Sequence, residues 1–364
     1  MAKESSLEKA RKEINRIDTE MRELFLKRMR AAEAVAEYKK ERGLKILDAS
    51  RENEIIANNS AEIEDELIRE YYITFLKNTM TVSKAYQSRL IEGMSVAYSG
   101  TEGAFAHIAS EKLYPSAKKV AFSSFGEAYA AVESGECDVC VLPLENSYNG
   151  EVGQVTDLMF SGSLYVNGIY DLPVTQDLLA VDGASLSDIK KVISHPQALG
   201  QCAKYISKHG FYSEDAENTA LAAKHVASLN DKSVGAIASA EAAAIFGLAV
   251  IDHDINESRS NTTRFAVFSR TANKKTDEQA GVHSVLMFTV RNEAGALAKA
   301  IEVIGSHGFN MRALRSRPMK ELLWQYYFYV EVEGNVQTEN GGNMMEELSE
   351  YCDRLKFVGT YIKL

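Results

Sequence analysis

Cysteine is scarce in this chain, with four residues among 364, at positions 137, 140, 202 and 352. So few thiols in so long a chain favour a reducing compartment over a framework of disulfide bonds, and we expect a cytoplasmic protein. Cys137 and Cys140 have the spacing of redox and zinc sites, but both fall in a predicted strand, where residues three apart face opposite sides. We therefore interpret them as packing residues and expect no metal site.

Long apolar runs are also missing, and positive charge is in deficit. The sequence predicts no membrane-spanning helix, and its charged amino terminus predicts no signal peptide. Lysine and arginine number 41 against 51 acidic residues, which gives a net charge of −10. This balance argues against nucleic acid or an anionic membrane as a partner. An anionic ligand would have to be bound by a few locally placed cations.

Residues 1–92 read as three helices. Ser5 and Glu8 form a capping box at the start of the first helix, and Gly43 ends it. Asp48 can cap a second helix that extends to about Asp65, and a third follows over residues 67–91. The first helix, on the order of 55 Å long, is too long for ninety residues to cover well. We therefore expect an intertwined homodimer, which could pair further into a higher oligomer.

The rest of the chain has an α/β pattern. In residues 95–271, short strands alternate with helices, and two lobes joined by crossing segments predict a hinged fold that resembles periplasmic binding proteins, with its site in the cleft. Residues 271–281 read as a linker. Residues 282–364 have the order β-α-β-β-α-β of a ferredoxin-like α+β domain, with a helix over Met344–Leu355. The fold class is thus multidomain, α and α/β.

A cation interrupts the apolar seam of the first helix. Arg28 takes the heptad position that follows Met21, and Lys39 lies on the same face about three turns further on. A buried, unpaired cation costs several kcal/mol or more, so this helix is suited to an acidic ligand. The seam is otherwise formed by apolar residues at heptad spacing: Leu7, Ile14, Ile17, Met21, Leu24, Ala31 and Val35.

The other two helices each offer polar side chains at helical spacing. Surface ion pairing is the alternative interpretation for most of them, but it does not account for Arg28. Over residues 5–91 the pattern resembles the all-helical chorismate mutases found at the amino end of bifunctional enzymes. The resemblance rests on eight residues: Arg11, Arg28, Lys39, Asp48, Arg51, Glu52, Ser83 and Gln87.

The resemblance implies a unimolecular rearrangement of chorismate to prephenate, which needs no nucleophile, metal or cofactor. The enzyme holds the reactive conformer and stabilises negative charge on the breaking ether oxygen. The implied roles are Arg28 and the partner chain's Arg11 for the two carboxylates, Lys39 and Gln87 for the ether oxygen, Glu52 and the Asp48 backbone for the ring hydroxyl, Ser83 for a carboxylate, and Arg51 for orientation.

Four strings in the middle of the chain resemble prephenate dehydratase, across residues 95–270. They are Tyr98–Gly103, Leu142–Ser147, Ser194–Cys202 and Asn261–Phe265. Such junction residues often only cap or turn the chain, and Arg264 could be a structural anchor or a carboxylate clamp. The amides after Ser99 and Gly100 are expected to open a helix and bind a carboxylate.

In that family the ring carboxylate and hydroxyl of prephenate are lost, and the protein helps the hydroxide to leave. The resemblance makes Thr263 the residue nearest this step, either as a hydrogen-bond donor or as a proton relay. It also implies a set of substrate-binding residues: Asn146, Ser147, Ser194, His195, Gln201, Arg264 and Phe265.

Residues 282–364 resemble an ACT domain, a small-molecule sensor of amino-acid biosynthetic enzymes. The second ligand motif of the phenylalanine-sensing family usually reads Glu-Ser-Arg-Pro, and here Arg315 replaces the glutamate. Phenylalanine is the expected effector, and it would inhibit by favouring a less active arrangement. The implied allosteric residues are Gly295, Ala296, Leu297, Asn310, Arg315, Ser316, Arg317 and Pro318.

The whole chain thus resembles the bifunctional chorismate mutase–prephenate dehydratases, in their domain order 1–92, 95–271 and 282–364. Its expected partners are the small molecules chorismate and prephenate, with phenylalanine as effector. Two alternatives stay open on sequence alone: a dehydratase that prefers arogenate, and a ligand-binding regulator without catalysis.

Overall fold

The computed structural model describes residues 5–258, 260–273, 281–319 and 325–364. The chain divides into two compact units, Met1–Met94 and Ser95–Leu364. The second unit contains both segments that the sequence predicts as separate α/β and ferredoxin-like domains. Most of the predicted linker, residues 274–280, lies outside the described residues.

Three helices form the first unit, and local side chains define their ends. The Ser5 hydroxyl accepts from the Glu8 backbone N–H at 3.2 Å, and the Glu8 carboxylate accepts from the Ser5 N–H at 2.7 Å, as the capping box predicts. Gly43 ends the first helix at a φ of 61°, which is easiest for glycine. The helices are α1 (Ser6–Arg42), α2 (Ala49–Ser60) and α3 (Glu66–Glu92).

The second helix is shorter than predicted. It starts after Asp48, whose side chain accepts from the Arg51 backbone N–H, but it ends at Ser60. Asp65, predicted as its end, instead caps α3 by accepting from the Ile68 backbone N–H. The same residue type can thus mark either end of a predicted helix when aspartates are close in sequence.

The apolar seam of α1 is largely exposed within one chain. Ile14, Met21 and Leu24 are 56%, 43% and 62% exposed, whereas the buried part of α1 is confined to Ala32 and Ala36. Such a row of exposed apolar side chains on one long helix is unusual for an isolated domain. Towards its carboxyl end α1 packs against α3, which buries Met80 and two polar residues of the same face.

The second unit alternates strands and helices before its carboxyl-terminal part. In chain order its elements are β1 (Ser95–Ser99), α4 (Phe105–Leu113), β2 (Lys118–Phe122), α5 (Phe125–Ser134), β3 (Val139–Asn146), β4 (Gly150–Glu151), α6 (Gly153–Ser161), β5 (Tyr165–Pro173), β6 (Asp177–Ala180), β7 (Lys191–Ser194), α7 (Pro196–Gln201), α8 (Ala203–His209), β8 (Tyr212–Asp215), α9 (Thr219–Leu229), β9 (Val234–Ala238), α10 (Ala240–Phe246), β10 (Ala249–Asp252), β11 (Thr262–Ser269), β12 (Val282–Val290), α11 (Ala296–Ser306), β13 (Met311–Pro318), β14 (Tyr326–Glu333), α12 (Glu339–Ser349) and β15 (Cys352–Lys363).

Two sheets organise this unit into lobes. The larger sheet has the strand order β13-β14-β12-β15-β5-β11-β3-β1-β2, with the short β4 beside β3. Its ferredoxin-like part joins the first lobe through a parallel contact in which Ile362 pairs with Gly168. The smaller sheet has the order β10-β6-β9-β7-β8 and forms the second lobe. The predicted two-lobed α/β fold is therefore confirmed.

Two crossing segments connect the lobes, and hydrogen bonds hold them together. The Gln176 N–H donates to the Asn256 side chain at 3.0 Å, and its carbonyl accepts from the Ile255 N–H at 2.8 Å. Val174 N–H donates to the Asn261 carbonyl at 2.8 Å. The return crossing begins only after β10, because β10 pairs with β6 in the second lobe.

The carboxyl-terminal part has the predicted β-α-β-β-α-β order, but its second helix is displaced. Helix α12 covers Glu339–Ser349 rather than Met344–Leu355, because Thr338 caps it and Leu355 pairs with Phe288 in the sheet. The early start is hidden in the sequence by Gly341, a poor helix former. A side chain there would lie 2.3 Å from the Val336 carbonyl oxygen, so the close packing requires glycine. The sequence pattern begins the third strand of this domain at Trp324, which lies outside the described residues.

The cysteines are free thiols in the fold. Cys140 lies in β3 as predicted, but Cys137 precedes the strand, which begins at Val139. Cys137, Cys140 and Cys202 are buried, and burial raises the pKa of the Cys137 thiol to about 11. A thiol with so high a pKa is almost fully protonated at neutral pH, which fits a packing role.

Candidate active sites

The helical unit encloses a cavity of about 290 Å³ at the end of the α1 seam. Arg28 and Lys39 come from α1, and Asp48, Arg51 and Glu52 come from the start of α2. Helix α3 contributes the buried Ser83 hydroxyl and the buried Gln87 amide. Seven of the eight predicted mutase residues line this cavity: Arg28, Lys39, Asp48, Arg51, Glu52, Ser83 and Gln87.

The eighth residue, Arg11, is exposed on α1. It lies seventeen residues before Arg28 on the same continuous helix, a distance of about 25 Å at 1.5 Å per residue. Its side chain cannot span that distance. Arg11 therefore belongs to this cavity only if it comes from another chain.

Hydrogen bonds position the cations of the cavity. Arg28 donates to the Ser83 hydroxyl and, at 3.4 Å, to the Thr79 carbonyl oxygen. The Lys39 ammonium donates to the Ile46 carbonyl oxygen at 2.5 Å. Both heads are held by neutral acceptors, so their charge is not cancelled by a carboxylate at these contacts. An anion is the natural complement of such a site.

Two further groups shape the cavity. Gln87 is 8% exposed, and its amide oxygen finds no hydrogen-bond partner among the described residues. Lys84, which the sequence analysis missed, lies 2.8 Å from the Glu52 carboxylate. Its position four residues after Met80 and three before Gln87, which both line the cavity, could have indicated a cation on this face of α3. Arg51 directs its guanidinium to Glu54, 2.7 Å away and largely exposed.

A second cavity, of about 390 Å³, occupies the cleft between the lobes of the second unit. Of the residues predicted to bind or act on the substrate there, five line it: Asn146, His195, Gln201, Thr263 and Phe265. They come from the end of β3, from the two ends of α7 and from the start of β11. The crossing segments thus meet in the cleft, as the hinged fold predicts.

A chain of side-chain hydrogen bonds crosses the floor of this cleft. The Asn146 amide nitrogen donates to the Thr263 hydroxyl oxygen at 2.9 Å and to the Asn261 oxygen at 2.8 Å. The Asn261 amide nitrogen then donates to the Gln201 oxygen at 3.3 Å. The Asn146 oxygen accepts from the backbone N–H groups of Tyr148 and Asn149 at 3.0 Å, which fixes the orientation of its amide.

His195 has a local role as well as a place in the cleft. Its Nδ1 accepts from the Gln197 backbone N–H at 3.2 Å, so it caps α7. In a neutral imidazole whose Nδ1 accepts, the proton lies on Nε2. His195 can therefore donate one hydrogen bond from Nε2 while it caps the helix.

Three predicted cleft residues lie elsewhere. Ser194 is fully buried, and its hydroxyl donates to the Ile237 carbonyl oxygen at 2.5 Å, because it belongs to the interior of the second lobe. Ser147 hydrogen-bonds to the Ser260 carbonyl at 3.0 Å and accepts from the Thr262 N–H at 3.0 Å, which ties two loops together. Neither hydroxyl is directed to the cleft by these bonds.

Arg264 is a structural anchor on the opposite face of β11. Successive residues of a strand face opposite sides, and its neighbours in sequence line the cleft. Arg264 instead lies 3.5 Å from Glu331, 3.7 Å from Asp171 and 3.8 Å from Glu145. Of the two interpretations left open by the sequence, these contacts favour the structural anchor.

The predicted helix after Ser99 and Gly100 starts later than expected. Gly100 N–H is already bonded to the Phe122 carbonyl at 2.9 Å, and α4 begins at Phe105. Ser99, Ala104 and Phe105 nevertheless line the cleft. The amino end of α4 therefore faces the cavity, displaced from the predicted position.

Gln176 is a buried cleft residue that no sequence pattern indicates. It is 2% exposed, it lines the cavity, and its amide oxygen has no hydrogen-bond partner among the described residues. A buried acceptor without a donor costs about 1–3 kcal/mol. Its position after Val174, between two strands, resembled an ordinary crossing segment, so only the fold reveals it.

Charge in the cleft is unusual for a site predicted to bind a dianion. Within the described part of the chain, lysine and arginine are absent from the cavity lining, whereas the acidic residues Glu151 and Glu217 contribute to it. The side-chain hydrogen-bond donors of the lining are instead neutral amides, hydroxyls and an imidazole. The described residues also contain no cluster of three or more metal-ligating side chains.

The predicted sensor motifs have two different surroundings. Gly295 precedes α11 at a φ of 85°, and Leu297 lines a cavity of about 210 Å³ beside it. Asn310 donates to the Glu333 carboxylate at 3.0 Å. Arg315 and Arg317 point instead towards the first lobe.

No described helix is both long and apolar enough to cross a membrane.

Two family models match the chain. The model for prephenate dehydratase matches residues 96–273, and the model for chorismate mutase type II matches residues 10–88. The residues that line the helical cavity all lie in the second range, and those that line the cleft all lie in the first. Together they cover most of the sequence.

Individual proteins are similar over most of the chain. The bifunctional chorismate mutase/prephenate dehydratase of Aquifex aeolicus is 31% identical and covers 98% of this chain and 98% of its own length. Arogenate dehydratase 2 of Petunia hybrida is 34% identical over 74% of this chain and 71% of its own. A crystal structure of prephenate dehydratase in complex with L-Phe from Arthrobacter aurescens matches with a TM-score of 0.68 and 25% identity, over 74% of this chain and 90% of that chain.

Proposed function

The chain belongs to the family of bifunctional chorismate mutase/prephenate dehydratases and carries both activities, and from that premise we propose which residues perform them, how the chain assembles and what regulates it. The helical cavity is the chorismate mutase site, and the cleft is the prephenate dehydratase site. The non-catalytic regulator is discarded as an alternative.

In the mutase site, Arg28 binds one substrate carboxylate, and Ser83 orients its guanidinium and contacts the same group. Lys39 and Gln87 donate hydrogen bonds to the ether oxygen, on which negative charge grows as the bond breaks. Gln87 is buried and lines the cavity, so its amide nitrogen is placed to donate, and its oxygen, which has no hydrogen-bond partner among the described residues, is open to accept from the substrate. A substrate bound there can satisfy groups that the protein leaves open.

The remaining mutase residues act on the ring. Glu52 accepts a hydrogen bond from the ring hydroxyl and is held by Lys84, 2.8 Å away. The backbone at Asp48 contributes to the same hydroxyl, and Arg51 orients the start of α2. Preorganised side chains of this kind lower the barrier by restricting the substrate to its reactive conformer.

In the dehydratase site, the electrons of the bond to the ring carboxylate enter the ring and expel the hydroxide, which leaves as water once protonated, beside carbon dioxide. Thr263 donates the hydrogen bond that assists this departure. The single observation that carries the assignment is its contact with Asn146, which donates to the Thr263 oxygen at 2.9 Å. Because that oxygen already accepts from the amide, the hydroxyl proton is available to the leaving group. Gln201, His195 and Phe265 position the ring.

The chain acts as a homodimer through its helical unit, and a further pairing of dimers would use other surfaces. The exposed seam of α1 and the separation of Arg11 from Arg28 support this assembly, since a second chain would cover the seam and could supply Arg11. The free thiols are consistent with a reducing compartment, which favours the cytoplasm.

Phenylalanine is the effector of the carboxyl-terminal ferredoxin-like domain, residues 282–364. The cavity beside Leu297 combines apolar side chains such as Phe328 with the carboxylates of Glu293 and Asp353, which suits an amino acid with an apolar side chain. The left-handed Gly295 leaves backbone amides at the start of α11 for its carboxylate. The proposed effector motifs also include Ala296, Asn310, Ser316 and Pro318, which do not line this cavity.

Arogenate is a second candidate substrate for the cleft. Arogenate carries an ammonium group where prephenate carries a ketone, and the described lining of the cleft includes the acidic residue Glu217 and contains no lysine or arginine. The name of the Petunia relative also points to it. Prephenate remains the main substrate, since the chain contains its own mutase to supply it.

The experiment that tests this assignment follows products from chorismate with purified full-length protein, with and without phenylalanine. Phenylpyruvate should accumulate, and added phenylalanine should suppress it while the mutase step continues. Accumulation of prephenate alone, with conversion of supplied arogenate, would instead make arogenate the main substrate of the cleft.

A further inference from the structure

A short hairpin forms one wall of the dehydratase cleft. Strands β3 and β4 pair at only two positions, Glu145 with Glu151 and Asn146 with Gly150. Residues directly opposite each other in an antiparallel pair share a face, and like charges there are destabilising. The hairpin thus presents two adjacent carboxylates on one face, while Asn146 on the other face contacts Thr263.

Two arginines of the carboxyl-terminal domain lie next to those carboxylates. Arg315 lies 2.7 Å from the Glu145 carboxylate, and an Arg317 nitrogen lies 3.9 Å from that of Glu151. The exposed fractions of these four side chains are only 17–27%. Arg264, in β11, is a further cation 3.8 Å from Glu145. Each carboxylate of the hairpin therefore faces a guanidinium that belongs to β13.

Arg317 approaches the backbone of Gly153, the residue that begins α6, closely. A Cβ atom at Gly153 would lie 2.2 Å from the Arg317 guanidinium, so a larger residue there would displace the guanidinium. Arg317 also reaches Asp157 at 3.2 Å, in the helix that follows. Its guanidinium is thus clamped between the end of the hairpin and α6.

The hairpin sets the geometry of the reacting groups. Asn146 directly follows Glu145 in β3. In the pairing of β3 with β11, Thr263 lies opposite Asn146 and Arg264 lies opposite Glu145. A shift of Glu145 therefore displaces the amide that orients the Thr263 hydroxyl. Misplacement by about 1 Å can cost on the order of a hundredfold in rate.

We propose that Arg315 and Arg317 are positioning residues of the dehydratase site, which act through Glu145 and Glu151 to hold the hairpin where Asn146 orients Thr263. Arg315, the position at which this chain departs from the Glu-Ser-Arg-Pro motif, is thus a part of the catalytic support. A glutamate at 315 would add a third carboxylate to this group and remove its shortest ion pair. The inference rests on the proposed roles of Asn146 and Thr263.

The test compares Arg315→Glu, Arg315→Gln and Arg315→Lys in the full-length protein, with kcat and KM for prephenate measured separately. We expect Arg315→Glu to lower the dehydratase kcat about ten- to a hundredfold with little change in KM, because the ring is still bound but Thr263 is misdirected. Arg315→Lys should keep most of the rate. The neutral glutamine variant, with a smaller loss, keeps the test decisive if the glutamate variant does not fold.

Two controls separate positioning from a general loss of structure. Arg312→Glu reverses a charge on the same strand, but Arg312 faces Glu333 at 3.4 Å and is 53% exposed, so its dehydratase kcat should be unchanged. The double variant Arg315→Glu with Glu145→Arg should recover rate relative to Arg315→Glu alone. Unchanged kcat in both Arg315→Glu and Arg315→Gln, or no recovery in the double variant, would overturn the proposal. Neither result would affect the assignment of Thr263, which a Thr263→Ala variant tests on its own.

Discussion

The Asn146 amide nitrogen donates a hydrogen bond of 2.9 Å to the Thr263 hydroxyl oxygen. These two residues are 117 positions apart in sequence and meet because β3 and β11 pair in the sheet. The contact determines the direction of the hydroxyl proton, since an oxygen that accepts from an amide has its own proton free to donate. In the proposed mechanism, the departure of the hydroxide depends on that direction.

Asn146→Asp is expected to lower the dehydratase kcat as severely as Asn146→Ala, by about a hundredfold or more. An ionised carboxylate has nearly the shape of the amide, but it only accepts, so it would draw the Thr263 proton towards itself. Steady-state rates with prephenate measure both variants. Near-normal activity of Asn146→Asp at neutral pH would show that donation to Thr263 is unnecessary. Gln197→Ala, at the exposed rim of the same cleft, serves as control.

Gln176→Leu should reduce activity and increase stability at once. The substitution removes a buried amide whose oxygen has no partner among the described residues, which should raise the melting temperature of the second unit. It also removes a polar group that the substrate would satisfy, so kcat/KM for prephenate should fall about ten- to a hundredfold. Thermal unfolding and kinetics on the same preparation test both. A less stable variant with full activity would mean that Gln176 serves the fold alone.

Mixing two inactive chains should restore mutase activity if Arg11 acts across the dimer. A heterodimer of Arg11→Ala and Arg28→Ala chains has one site with both arginines and one with neither. Refolding an equal mixture should therefore recover about a quarter of the normal activity, because half of the dimers are mixed. Chorismate consumption before and after mixing measures the gain. No recovery from a mixture that forms dimers would place Arg11 outside the site.

The stability of the second unit should fall in mild acid, in part because of His107. Burial is the largest effect on His107, and it lowers the pKa of the imidazole. The positive charge of Lys119 lowers this pKa further, whereas the negative charges of Glu111 and Glu102 raise it. Below the ordinary pKa of 6.5, His107 is protonated in the unfolded chain but stays neutral in the folded chain. The free energy of unfolding therefore decreases as the pH falls from 6.5 towards the lower pKa of the folded state.

His107→Gln is the matched variant for this effect, because an amide oxygen can replace Nδ1 as acceptor for the Gly103 N–H, a bond of 3.2 Å. Between pH 7.5 and pH 5.5 the melting temperature of the variant should fall less than that of the unchanged protein. Equal losses would assign the acid sensitivity to other groups.

Sequence patterns predicted the residues whose role is local, and missed those that depend on distant pairing. The capping box of Ser5 and the polar face around Arg28 follow from helical spacing alone. The alternation in Thr263-Arg264-Phe265 also requires Arg264 to face away from its neighbours. Which face meets the cleft, however, depends on register with β3, a partner more than a hundred residues away.

Burial explains the remaining differences. Ser194 is of a residue type common at strand–helix junctions, yet its hydroxyl donates to the Ile237 carbonyl oxygen inside the second lobe. Gln176 was missed for the opposite reason, because a crossing segment gives no periodic signal for a buried amide. The ion pair of Arg315 with Glu145 joins parts of the chain separated by 170 residues, which spacing alone does not predict.

The helical cavity and the cleft are proposed as two independent active sites in one chain, and reciprocal variants test that independence most directly. Mutase and dehydratase rates should be measured on the same preparations of Arg28→Ala and Thr263→Ala, with chorismate and prephenate supplied separately. We predict that Arg28→Ala abolishes mutase turnover and leaves prephenate conversion intact, and that Thr263→Ala does the reverse. Loss of both activities in either variant, or a normal dehydratase rate in Thr263→Ala, would contradict the account.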